Sequence, residues 1–153
     1  MGQLINETLL VLLENQRSRT EAALEELEQS SFIAKRKGEC NSIRNIGRHI
    51  LKIRAFQLSI LDESPDDIDT TAACETPEAL RAALDASADV LSRAIRTHEP
   101  EDWMRVPRTP REGNWGDEPT LFRLVRPLND VTNHLGAIRA LRRIDGNPAT
   151  RTQ

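Results

Sequence analysis

The sequence predicts an all-α fold, in its most economical form a four-helix bundle with two long connections. Three observations carry that expectation. The 153 residues, 38% apolar and 29% charged, are enough for one hydrophobic core. Ala, Leu, Glu and Arg are abundant, while two tryptophans, three phenylalanines and no tyrosine occur, a composition that suits helices better than strands. Apolar residues also recur at three- and four-residue steps through four separate stretches. One domain is expected over residues 1–147, with 148–153 as a frayed tail.

The first predicted helix runs from about Leu4 to Glu28, with Ile5, Leu9, Leu12, Leu13, Ala23, Leu24 and Leu27 on its apolar side. From Gln29 to Asn41 the pattern breaks and Gly38 marks a turn. Asn41 or Ser42 can cap a second helix reaching about Leu61, with Ile43, Ile46, Ile50, Ile53, Gln57 and Ile60 in its stripe and Arg44, Arg48, Lys52 and Arg54 elsewhere. Asp62 to Glu75 is acidic, contains Pro65 and is long enough for a crossover. It lacks the glycine and the closing glutamate of a calcium loop and reads as a solvated linker. Thr76, Pro77 and Glu78 start a third helix with a hydroxyl cap, a proline where no amide donor is needed, and an acid at the positive end. Its stripe is Leu80, Leu84, Ala88, Leu91, Ala94 and Ile95.

Between Thr97 and Glu118, three prolines, Gly113, Gly116, Trp103 and Trp115 form a long loop suited to a lid or a pocket wall. A fourth helix is expected from Pro119 or Thr120, burying Leu121, Leu124, Leu128, Val131, Leu135, Ile138 and Leu141. Pro127 should loosen or kink it, and Asp145, Gly146, Asn147 and Pro148 should end it.

A net charge of −3 disfavours a phosphate backbone as partner, since such binding needs a concentrated positive face. No apolar run approaches the ~20 residues that cross a bilayer, and the N-terminal MGQLINETLL lacks the basic flank and cleavage site of an export signal. The expectation is a cytoplasmic protein that binds neither nucleic acid nor membrane, with Cys40 and Cys74 as reduced thiols. No thioredoxin-like, nucleophile-elbow, P-loop or dinucleotide motif is present.

Only three histidines occur, so their placement is informative. His49 falls on the flank of the second stripe, roughly 70° from its centre. Asp130 and His134 are four residues apart and stack one turn above the other on the fourth helix. An i, i+4 pair joined by a ligand from a facing helix is a common way for a bundle to hold a metal. Two imidazoles and a carboxylate suit zinc, nickel or another first-row divalent ion and leave a position open for water or substrate. Each residue also has a plain reading: His49 as a half-buried hydrogen-bonded ring, Asp130 and His134 as partners of each other or of an arginine. His98 sits where a helix end favours a cation and reads as structural. Trp103 and Trp115 suit either a pocket wall or packing on the bundle, and Arg139, Arg142 and Arg143 sit where the helix dipole favours cations.

The segment LNDVTNHLGAIRALRRIDGNP resembles the last helix of the DinB-like (DinB/YfiT) superfamily, which carries a His-x-x-x-His pair followed by x-Gly-Gln. Asp130 and His134 stand in the positions of the pair, followed by Leu135, Gly136, Ala137 and Ile138. The segment NSIRNIGRHILKIRAFQ similarly resembles the family's second helix, with His49 at its first metal ligand. The resemblance implies an up-down-down-up four-helix bundle, a divalent metal held by His49, Asp130 and His134, and often a homodimer. Characterised members include transferases and isomerases that use low-molecular-weight thiols. Asp130 in place of the usual histidine makes the donor set harder and more negative, and Ala137 and Asn133 stand where glutamine and a further histidine are frequent.

The expected function is a metal-dependent transferase or isomerase in which the ion lowers the pKa of a bound thiol and creates a thiolate nucleophile for a small-molecule electrophile. The alternatives are a metal-dependent hydrolase, since the same open position can activate water, and a non-catalytic dimeric bundle with a degenerate site.

Overall fold

A computed structural model describes residues 2–35, 42–63, 70–107 and 117–146. Among them are five α-helices and no strand: α1 (Gly2–Leu24), α2 (Gln29–Ile33), α3 (Ile43–Ile60), α4 (Pro77–Thr97) and α5 (Thr120–Ile144), with 3-10 turns at Ala72–Cys74 and Pro100–Met104. The four long helices form the expected bundle.

The local signals work as the sequence implies. Ser42 caps α3 by accepting from the Asn45 amide at 3.2 Å, and Thr76 caps α4 by accepting from the Ala79 amide at 3.1 Å ahead of Pro77. Asp145 and then Gly146, at φ +70°, close α5. The helix runs as one element through Pro127, which is buried.

Helix directions follow from which residues meet. Arg17 bonds Asp85 and Asp89, and Glu21 bonds Arg81, so α1 and α4 are antiparallel. Gln16 reaches Leu128 and Arg142 reaches Ala23, so α1 and α5 are parallel. Ile43, Ile46 and Ile50 share one buried cluster with Val131, Leu135 and Ile138, whereas Leu58 shares the other with Leu124 and Leu128, so α3 opposes α5. α1 and α3 each pack on α4 and α5 and lie diagonally across the bundle. The topology is up-down-down-up.

Three departures from the sequence expectation have physical causes. First, α1 stops at Leu24 and not near Glu28, because the buried Arg142 guanidinium donates to the carbonyls of Ala23 and Glu25 at 2.9 Å and Glu26 turns the chain at φ 52°. Arg142 thus caps the C-terminal end of a different helix, and burial lowers its pKa from the ordinary value. Second, the stretch after Glu28 contains the short helix α2, held by Phe32 in the core and by a hydrogen bond from the Ser31 hydroxyl to the Asp145 carboxylate. Five residues are too few to show helical periodicity. Third, Leu12 is exposed, because the buried Leu9, Leu13, Gln16 and Thr20 set the inward face of α1 and residue 12 falls roughly 70° from its centre.

Polar residues interrupt the core between the two buried clusters. Gln16, Arg54 and Gln57 are all buried, although Arg54 reads as a surface charge in the sequence. Arg54 donates to Gln16 Oε1 at 2.7 Å and to Gln57 Oε1 at 2.9 Å, and Gln16 Nε2 donates to the Leu128 carbonyl at 2.8 Å. This layer links α1, α3 and α5 across the bundle.

At the bundle end near the start of α1, Asn6 donates to the His98 carbonyl and accepts from the Trp103 indole, while His98 packs on that indole with ring centroids 4.1 Å apart. Trp103 is fully buried, so it packs the core and does not wall a pocket. Trp115, Cys40 and the tail 148–153 lie outside the described residues.

Burial lowers the His98 imidazole below its ordinary 6.5, against the opposing pull of Asp102, Asp62 and Glu99. A base lowered on folding binds its proton more readily when unfolded, so its stabilising contribution is complete above 6.5 and declines as pH falls below that value. Urea denaturation midpoints should therefore drop between about pH 7.5 and about pH 5.5, and the drop should be shallower in His98→Gln. A histidine resonance for His98 that titrates at or above the ordinary value would contradict this.

Candidate metal centre

His49 and His134 meet across the antiparallel α3–α5 contact. The cap at Ser42 starts α3 so that Ile43, Ile46 and Ile50 point inward, which sets His49 at the rim of that stripe. On α5, Val131, Leu135 and Ile138 are buried and carry His134 to the same rim. The two imidazoles touch edge to face, with centroids 4.7 Å apart and planes at 89°. His49 is exposed and His134 half-buried, so the pair opens to solvent on the outer side of the bundle.

On the side of α3 away from His49, close packing on α4 depends on Gly47. A Cβ there would stand 2.2 Å from Leu80 Cδ2 and 3.3 Å from Leu80 Cγ, so only glycine lets α3 lie this close to α4. Leu80 is fully buried and has little room to retreat.

Asp130 is exposed one turn before His134. Burial is the largest influence on His134 and lowers its pKa; the neighbouring His49 lowers it further and Asp130 raises it. A neutral imidazole is the form that donates a lone pair to a metal. Among the described residues, no three His, Cys, Asp or Glu side chains are already gathered into a metal-holding set. Two of the three sequence-identified residues are in contact, and the third, Asp130, acts electrostatically on His134.

The other candidates have structural roles. His98 and Trp103 belong to the opposite end: Leu58, which clusters with Trp103, lies nine residues from His49, or about 13 Å along the helix. Cys74 is buried, and burial raises its pKa, against the lowering influence of Arg48 and Arg44. Arg139 and Gly136 line a cleft of about 560 Å³ between α1 and α5, which does not include His49, Asp130 or His134. Sequence reasoning missed Gln16, Arg54 and Arg142 as interior residues. The gap in the first apolar stripe between Leu13 and Ala23 is the one signal that marks where the polar layer lies.

The chain is an all-helical bundle in which two facing helices bring imidazoles into contact. The family model of the DinB superfamily matches residues 12–138, and the chain belongs to that superfamily. No curated protein and no solved structure matches the chain in the corresponding comparisons. No helix among the described residues is long and apolar enough to cross a membrane.

Gly47→Ala should destabilise the fold by ~1–3 kcal/mol, as overpacking of a tight core does. A substitution without effect on the thermal midpoint would show that Leu80 yields freely.

Proposed function

We propose that His49, His134 and Asp130 hold a divalent ion, zinc or nickel by the chemistry of the donors, and that the protein is a metal-dependent enzyme acting on a small molecule. The observation that supports this most directly is the contact between His49 and His134, from helices 85 residues apart in sequence but joined at one rim. The exposed Asp130 carboxylate one turn before His134 would join the pair by rotation about its own side-chain bonds, and its charge favours a cation there. Two imidazoles and a carboxylate are donors whose chemistry suits such an ion.

Each side chain then has a task. His49 and His134 supply neutral nitrogen donors, and lowering of the His134 pKa keeps its ring in that form near neutrality. Asp130 offsets one positive charge and orients the donor set. The bound ion would supply Lewis acidity and lower the pKa of a thiol or water. Solvent access at His49 leaves one side open for the substrate. We favour a low-molecular-weight thiol as the co-substrate, with transfer to an electrophile or isomerisation as the reaction, in a cytoplasmic homodimer. Hydrolysis and a non-catalytic dimer are the competing readings.

Protein purified without a histidine tag should contain near-stoichiometric zinc or nickel by elemental analysis, and the His49→Ala, His134→Ala double variant should lose it while keeping its helical circular dichroism. Equal trace metal in both proteins would reject the site.

The metal-loaded protein should accelerate addition or substitution by at least one cellular thiol across a panel of electrophiles, and Asp130→Ala should cut that rate by about 10–100-fold or weaken metal retention to the same degree. Metal retention with no thiol reaction, but with ester or amide cleavage, would select the hydrolase.

A further inference from the structure

Among the described residues, the buried guanidinium of Arg54 has no acidic partner. Its two terminal nitrogens are engaged by the neutral amides of Gln57 and Gln16, and its Nε has none. Gln57 Nε2 is buried and unpartnered as well. Burial lowers the Arg54 pKa to about 10, with the Arg17 charge acting in the same direction. Removing a cation from water costs several kcal/mol unless an anion accompanies it, and here only amide dipoles do.

Arg54 lines a cavity of about 20 Å³ between α1 and α4, together with Thr20, Leu84 and Ala88. That volume admits one water-sized particle. Arg17 and Arg81 also reach it, as do Asp85 and Glu21. These two carboxylates and Asp89 are bonded to Arg17 and Arg81, at distances of 2.7 to 3.1 Å, and all three are substantially exposed. Their charge is directed to the surface pairs, and none of them bonds Arg54. Arg54 is therefore a lining residue whose positive charge no carboxylate among the described residues bonds, beside a space of about 20 Å³.

We propose that this cavity is a binding site for a single halide-sized monovalent anion, chloride under cellular conditions, held against Arg54 inside the bundle. The site shares no residue with the His49–His134 pair and does not depend on the metal reading. The ion neutralises a buried guanidinium whose acceptors among the described residues are two neutral side-chain amides, while the Arg17–Asp85 and Arg81–Glu21 pairs line the cavity on its outer side. A diatomic or larger anion such as phosphate exceeds the space.

The test is thermal unfolding at constant ionic strength with chloride or bromide replaced by gluconate, which is too large to enter. The midpoint of the parent protein should rise saturably with halide by roughly 2–4 °C. Arg54→Met should show no such rise, and neither should Ala88→Val, which fills the cavity and leaves Arg54 and its amide partners in place; Arg126→Gln, on the surface, should retain it. Crystals of the parent grown with bromide should show an anomalous peak beside Arg54. A midpoint indifferent to halide together with no bromide peak, meaning that water alone fills the space, would overturn the proposal, as would an equal halide response in Ala88→Val and the parent.

Discussion

Because Ile46 and Ile50 of α3 are buried in the same cluster as Val131, Leu135 and Ile138 of α5, the rotation of each helix about its axis is fixed, and with it the position of every residue at the rim. A turn of either helix by one position, about 100°, would carry an apolar residue into water and His49 or His134 away from its counterpart. The imidazole contact is thus a by-product of core packing and costs the fold no separate ordering step. The antiparallel direction matters as much, since it pairs the early part of α3 with the middle of α5. The long connections on either side of α4 permit that arrangement, and lengthening a connection costs little because closure entropy grows slowly with length.

Charge inside the bundle is handled in two ways. Arg142 meets the free carbonyls at the end of α1, an acceptor set that is negative by virtue of the helix dipole. Arg54 meets the oxygens of two amides. The first arrangement ends a helix and ties α5 to α1. The second joins α1, α3 and α5 through Gln16 but leaves a guanidinium nitrogen without an acceptor. Buried polar layers of this kind add to the constraint from apolar packing, because each donor and acceptor is satisfied by few partners and only in a narrow geometry. Gln16 can satisfy both Arg54 and the Leu128 carbonyl only in one register.

Several elements were legible in the sequence because their causes are local. Ser42, Thr76 with Pro77, and Gly146 mark helix ends through bonds spanning three or four residues, and the stripes of α3, α4 and α5 match the observed interior closely. The α3 stripe even placed Gln57 inside. His49 and His134 could be paired because their neighbours in the stripe fix their direction and the family resemblance supplied the facing helix. Arg54 failed the same reasoning: a charged side chain is assigned outward by default, and nothing nearby in sequence announces Gln16. Trp103 stayed open between a pocket wall and packing on the bundle because the acceptor of its indole, Asn6, lies 97 residues away on α1, although His98, against which it packs, is only five residues before it. The end of α1 failed because Arg142, which sets it, is more than a hundred residues away.

The amino-acid sequence by itself determined that the chain is helical, where most of its helices begin and end, and which face of each is apolar, since capping, proline geometry and 3.6-residue periodicity act within a few residues. Only the packing of the helices against one another decided that α1 and α3 sit diagonally, that Gly47 lies tight against Leu80, and that a guanidinium lies in the core beside a small cavity. Those outcomes depend on how whole apolar faces and buried charges are shared among helices at once, and such sharing has no expression in any short stretch of chain.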